Sequence, residues 1–152
     1  MNWRQEVVVF LATGFYIGNI PYAPGTLGSL VGLPICFVLA GLKLPQAAAC
    51  ALLLIFFAIW IANSAERVLH RTDPGCIVVD EVAGMVVTLI GLPFNLTTAV
   101  FGFFCFRILD ILKPFPIRLM DKKLSGGLGV VADDVAAGIL ANLLTRIIIS
   151  FF

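Results

Sequence analysis

Charge is what this sequence has least of. Only 12% of its 152 residues are Asp, Glu, Lys or Arg, about half of the roughly 25% usual in soluble domains. Net charge is +1, so no bulk field argues for nucleic acid as a partner. There is one histidine, His70, and Cys36, Cys50, Cys76 and Cys105 form no C-x-x-C pair. A zinc site is therefore disfavoured, and the cysteines read as small buried hydrophobes. The apolar run at residues 5–17 follows Arg4 but is followed by no A-x-A cleavage site, so it reads as part of the mature chain.

What fills the space is apolar. Mean hydropathy is +1.07 and 61% of residues are hydrophobic. The length suits a single domain spanning residues 1–152. The expected class is all-α, a compact integral membrane bundle of short helices meeting membrane lipids. Apolar runs fall at roughly 7–17, 27–42, 46–65, 82–92, 96–106 and 135–152. Pro45 marks a turn between the second and third runs, and Gly91-Leu92-Pro93-Phe94-Asn95 interrupts what would be one run of 25 residues.

That interruption decides the topology. Six of the 19 charged residues lie in 66–81 and nine in 107–134. A single crossing by 82–106 would put the two clusters on opposite sides. A hairpin turning at 91–95 puts both on one side, with eight of the ten Lys and Arg residues, and the positive-inside rule then makes that side cytoplasmic. The hairpin is the preferred reading, although an 11-residue helix is only about 16 Å long against a bilayer core of about 30 Å. Residues 46–65 and 135–152 are long enough to cross, and Arg146 is expected to snorkel towards the far surface. Small residues at Ala83/Gly84 and Ala137/Gly138/Ala141 would let helices approach closely. Residues 80–84 and 133–138 form a weak internal echo at a spacing of 53.

Against this background two acid pairs stand out, Asp80-Glu81 and Asp133-Asp134, each expected at a helix start. A carboxylate in apolar surroundings is costly unless it is paired. Helix capping would explain one acid per helix. Four acids at one level instead suit a hard divalent cation such as Mg²⁺, which takes oxygen ligands and keeps waters for exchange.

A second constellation is Arg107, Asp110 and Lys113, spaced to share one helical face before Pro114-Phe115-Pro116. It reads either as a surface ion pair or as Asp110 joining the metal ligands while Arg107 and Lys113 hold an anion. A third is Pro24-Gly25-Thr26-Leu27-Gly28-Ser29, ahead of an apolar helix. Gly25, Thr26, Gly28 and Ser29 could offer N–H groups and hydroxyls to a phosphate. Ser125-Gly126-Gly127-Leu128-Gly129 is a similar, weak signal.

Absences narrow the chemistry. There is no D-x-D-x-T/V nucleophile motif and no Cys followed six positions later by Arg, and one histidine cannot supply a histidine pair. Metal-assisted attack by water remains.

Taken in order, these segments resemble the phosphatidylglycerophosphatase A family. The matching stretches are 24–29, Asp80-Glu81 with Gly84, and Arg107 through Lys113 to Ile117. Asp121, Gly126 to Gly129, and Asp133-Asp134 with Gly138 complete the set. The resemblance implies a hydrolase of phospholipid metabolism in the bacterial inner membrane. Such an enzyme removes the terminal phosphate of phosphatidylglycerophosphate, with Mg²⁺, to give phosphatidylglycerol. Asp80, Glu81, Asp133 and Asp134, with Asp110, would hold one or two Mg²⁺ ions. Arg107 and Lys113, with Thr26 or the Gly25–Ser29 backbone, would stabilise the phosphoryl charge. An undecaprenyl-diphosphate-type phosphatase fits less well, because no Arg follows Gly25. A non-catalytic cation-binding or transport protein predicts acids at depth along the helices rather than at their ends.

Overall fold

The computed structural model describes residues 1–152, apart from the side chains of Asp121 and Lys122. Among the described residues there are seven α-helices and no strands: α1 (Trp3–Ala12), α2 (Pro24–Ala40), α3 (Leu44–Leu69), α4 (Val79–Leu89), α5 (Leu96–Leu112), α6 (Ile117–Lys123) and α7 (Gly126–Ile149). A short 3-10 turn, Ile17–Asn19, follows α1.

Local chemistry sets the boundaries. Asn2 caps α1, its side chain accepting from the Gln5 N–H while Gln5 accepts from the Asn2 N–H. Pro24 and Pro45 sit in the first turns of α2 and α3, where a missing N–H costs nothing. The 91–95 interruption is a turn, as its glycine and proline demand. Gly91 takes φ +68°, and the Asn95 side chain accepts from the Thr98 N–H at 2.9 Å to start α5.

The chain therefore turns back between α4 and α5, which pack on each other and on α7. α7 is the central helix, with α3, α4, α5 and α6 against it. One apolar core joins α1, α3, α4 and α7 around Ile61, Ala62, Ala83 and Val131. The other joins α2, α4, α5, α6 and α7 around Met85, Phe106, Ile117 and Ala141.

Glycines let α4 and α7 cross closely. A Cβ on Gly138 would lie 2.5 Å from the Gly84 carbonyl oxygen, and one on Gly84 would lie 2.9 Å from the Asp134 carbonyl oxygen. No side chain fits between the backbones there. Asp80 precedes Gly84 by four residues and Asp134 precedes Gly138 by four, so each acid stands one turn from the crossing, in matching register. The echo thus aligns at a spacing of 54 rather than 53.

Other details differ from expectation. Asp133 and Asp134 lie two turns inside α7 rather than at its start, because the Gly126–Gly129 segment is helical. Residues 24–29 likewise open α2 instead of preceding it. Arg146 is exposed at the far, turn end of the bundle, as expected, but it finds partners there that its position in the sequence did not suggest. Its guanidinium lies 3.2 Å from the carbonyl oxygens of both Ile90 and Gly91 and bonds the Asn142 side chain at 2.8 Å. Asn142 in turn donates to the carbonyls of Thr88 and Ile90 at 2.8 and 2.9 Å. The open carbonyls ending α4 explain this attraction, because they carry the negative end of the helix dipole. Of the cysteines only Cys36 is buried, while Cys50 is exposed on α3.

α3 and α7 are long and apolar enough to cross a membrane. Phe37, Leu53, Phe56, Trp60, Phe104 and Leu143 are each more than half exposed, an amount of open apolar surface that soluble monomers rarely carry.

Candidate active site

The end of the bundle opposite the Asn142–Arg146 cap gathers the acids. Asp80 and Glu81 occupy the first turn of α4, whose N-cap is Val78 with no side-chain cap bond. Neither acid is the capping residue, and Asp133 and Asp134 sit too far inside α7 to cap it. Capping therefore does not account for either pair. One carboxylate oxygen each from Asp80, Glu81 and Asp134 can be chosen so that all lie within 4.8 Å of one another.

Burial makes this grouping costly. Asp80 is 8% exposed and Asp134 3%. Asp80 Oδ1, Glu81 Oε2 and Asp134 Oδ2 are buried with no hydrogen-bond partner among the described residues. Burial, then the adjacent Glu81 charge, pushes the Asp80 carboxyl well above its ordinary value of 3.8. Glu81 is also raised, first by burial, although a bond from Asp80 and the nearby Arg107 pull the other way. The Asp110 charge acts on both Glu81 and Asp134, which brings a fourth carboxylate to the same place.

Two cations face these acids. Arg107, near the end of α5, bonds Asp110 Oδ2 at 2.6 Å and reaches the Ser29 hydroxyl at 3.5 Å. Its Nε is buried without a partner among the described residues. Lys113 caps α5 in a left-handed conformation, φ +44°. It is therefore not on the shared face expected from its spacing, and its Nζ instead pairs with Asp133 at 2.6 Å.

α2 closes the site from the side. Gly25 is buried, and a Cβ there would strike Glu81 Oε1 and lie 3.1 Å from an Arg107 terminal nitrogen. Thr26 is half-buried beside it. Gly28 packs against Val78, and the buried Ser29 hydroxyl donates to the Gly25 carbonyl at 2.9 Å.

Of the residues singled out from the sequence, Asp80, Glu81, Arg107, Asp110, Asp134, Gly25 and Ser29 form one contiguous cluster. Lys113 and Asp133 form an ion pair joined to it through the α7 backbone. Gly126 to Gly129 serve packing: a Cβ on Gly127 would meet the Ile59 carbonyl and one on Gly129 the Leu124 carbonyl. The side chain of Asp121 lies outside the described residues. The Asn142–Arg146 network escaped the sequence reading, which placed Arg146 alone.

The acid set fits a hard cation. Among the described residues the cations paired with the five carboxylates are Arg107 and Lys113, and the buried oxygens Asp80 Oδ1, Glu81 Oε2 and Asp134 Oδ2 are left over. All the donors are oxygens, as Mg²⁺ prefers.

A protein-family model for phosphatidylglycerophosphatase A matches residues 10–149. The Escherichia coli K12 protein named phosphatidylglycerophosphatase A is 37% identical over 132 residues, covering 86% of this chain and 77% of its own. The Haemophilus influenzae protein of the same name is 39% identical over 138 residues, covering 86% and 82%. A Bacteroides thetaiotaomicron protein, provisionally named a phosphatidylinositol-3-phosphatase, is 37% identical over 147 residues, covering 91% of each chain. No solved structure matches significantly. The matched length takes in every element of the acid cluster, and the chain belongs to the phosphatidylglycerophosphatase A family.

Proposed function

We propose that this chain is a membrane-embedded phosphatidylglycerophosphatase. It would hydrolyse the terminal phosphomonoester of phosphatidylglycerophosphate to phosphatidylglycerol and phosphate, with Mg²⁺ held by the buried acids. The observation that carries this is the set of partnerless carboxylate oxygens of Asp80, Glu81 and Asp134, gathered within 4.8 Å beside Arg107. Family membership supplies the substrate: two relatives carry the phosphatase's name.

Asp80, Glu81 and Asp134 would hold the metal, with Asp110 beside them to complete the shell or orient its waters and Asp133 held by Lys113 at the edge. Mg²⁺ there would supply an acidified water and neutralise phosphoryl oxygens. The chain's own groups do the rest. Arg107, held by Asp110 and Ser29, aims its guanidinium at the space beside Gly25. The free N–H groups of the first α2 turn, at Gly25 and Thr26, point an electropositive helix end to the same space. Lys113 adds a positive charge through its pair with Asp133. A carboxylate of the cluster can pass a proton to or from the water. The attacking oxygen comes from water, the P–O bond to the glycerol breaks, and the leaving alkoxide takes up a proton.

Placement in a membrane is supported by α3, α7 and their exposed apolar side chains, and α4 and α5 would form a hairpin entering only part of the bilayer. The acid-bearing end carries most of the Lys and Arg residues, which favours a cytoplasmic orientation at the inner membrane.

The Bacteroides relative's name supports a second reading, in which the headgroup is phosphorylated inositol. Phosphate release should be measured from phosphatidylglycerophosphate and from phosphatidylinositol 3-phosphate in detergent micelles, with Mg²⁺ and with EDTA. Expected is Mg²⁺-dependent release from the first lipid, abolished by Asp80→Asn or Asp134→Asn in protein that still melts cooperatively. Release from the inositol lipid alone would move the assignment, and wild-type rates in either variant would remove the metal site.

A further inference from the structure

Beyond the acid cluster, the exit of α5 and the start of α6 form an open groove of about 390 Å³, lined by Leu112, Lys113, Pro114, Phe115, Arg118 and Leu119. Its composition is unusual. Phe115 is 82% exposed, and Leu112 and Leu119 are exposed beside it, yet two of the six lining residues are cationic. The groove is not a loose flap, because Ile117, wholly buried in the core, anchors the first turn of α6 and leaves its neighbour Arg118 exposed. Arg118 has no acidic partner among the described residues. The groove also connects to the site: Lys113 lines it and at the same time pairs with Asp133, the neighbour of Asp134.

We infer that this groove seats the phosphodiester and the first part of the acyl chains of an anionic phospholipid, with Arg118 as the diester ligand. This rests on the phosphatase reading above. Phosphatidylglycerophosphate carries two phosphates separated by a glycerol, a terminal monoester and a diester bonded to the diacylglycerol. When the monoester lies against the acids and Arg107, the diester must lie a glycerol's length away. Lys113 lines the groove and pairs with Asp133, and Arg118 lines the same groove among apolar side chains that suit acyl carbons. An arginine fork matches a phosphate's oxygens in a way a solvated lysine does not. Arg118 is thus a specificity-determining residue for lipid over water-soluble phosphomonoesters.

The test uses the full chain in detergent with two readouts. Native mass spectrometry counts retained lipid when phosphatidylglycerol or phosphatidylcholine of the same acyl composition is supplied. Phosphatidylglycerol has the diester without the monoester, so its retention does not depend on turnover. Expected is one preferentially retained phosphatidylglycerol, lost in Arg118→Gln and kept in Lys123→Gln, which removes the same charge outside the groove. Steady-state kinetics should show KM for phosphatidylglycerophosphate about tenfold higher in Arg118→Gln with kcat unchanged, as loss of one charge-assisted bond implies. Equal retention of the two lipids by the wild type, or unaltered retention and KM in Arg118→Gln, overturns the groove assignment. Selective retention by a chain that does not hydrolyse phosphatidylglycerophosphate would uphold the groove and defeat the substrate reading instead.

Discussion

Adding one methyl group where α4 crosses α7 tests whether that contact sets the site's geometry. In Gly138→Ala the new Cβ would lie 2.5 Å from the Gly84 carbonyl oxygen and 3.1 Å from Val87 Cβ. An ordinary carbon–oxygen contact is about 3.5 Å, so the helices must part by about 1 Å at that level. Backbone faces backbone, and no flexible side chain can absorb the change. Asp80 and Asp134 lie one turn away and must separate with their helices. A displacement of about 1 Å in positioned groups costs about 10²-fold in rate, whereas overpacking of this kind costs about 1–3 kcal/mol of stability. Phosphate release in micelles should therefore fall about 100-fold, and the Mg²⁺ needed for half-maximal rate should rise, in protein that still melts cooperatively. Gly41→Ala is the control: the nearest atom to its Cβ is 3.5 Å away, at the solvent end of α2. A Gly138→Ala enzyme with wild-type rate and metal response would refute the argument that the glycine contact holds the acids in register.

Two further outcomes bear on the same architecture. In EDTA the protein should lose stability as pH rises. Asp80 in the folded state holds its proton above its ordinary value of 3.8, so from about that pH up to its raised value the folded chain binds more protons than the unfolded one. Melting temperature in EDTA should fall across that window, less steeply in Asp80→Asn, and Mg²⁺ should raise it more above that window than below it. A pH slope identical in Asp80→Asn would place the effect elsewhere. At the other end of the bundle, Asn142→Ala removes bonds to the carbonyls of Thr88 and Ile90 and the Arg146 Nε bond to the Asn142 side chain. Chemical denaturation should show a loss of about 2–3 kcal/mol, with kcat nearly unchanged. A large fall in kcat would mean that the turn end communicates with the acids.

Much of this was written in the chain itself. The hairpin followed from Gly91, Pro93 and Asn95, because each residue restricts the backbone locally and needs no neighbour to do so. Helical class and the two long apolar helices followed from composition and run length. The acid pairs announced themselves because carboxylates are costly in apolar surroundings, and ordered motifs named the family. Helix starts were less legible. Residues 24–29 and 126–129 read as glycine loops because glycine has poor helix propensity, yet both are helical where α2 and α7 pack tightly on their neighbours.

Only tertiary structure decided which acid meets which. Sequence offered four acids in two equivalent pairs, whereas the α4–α7 crossing brings Asp80, Glu81 and Asp134 together and turns Asp133 towards Lys113. Adjacent residues on a helix point about 100° apart; on α4 both Asp80 and Glu81 still reach the cluster, whereas on α7 Asp134 does and Asp133 turns to Lys113. Lys113 left the helical face because the chain turns at its left-handed cap. Arg146 found the open carbonyls of another helix, a partner 55 residues away that no local pattern could reveal. Residue types and spacing settled the chemistry available to this protein, and the approach of two glycine-lined helices settled where that chemistry is assembled.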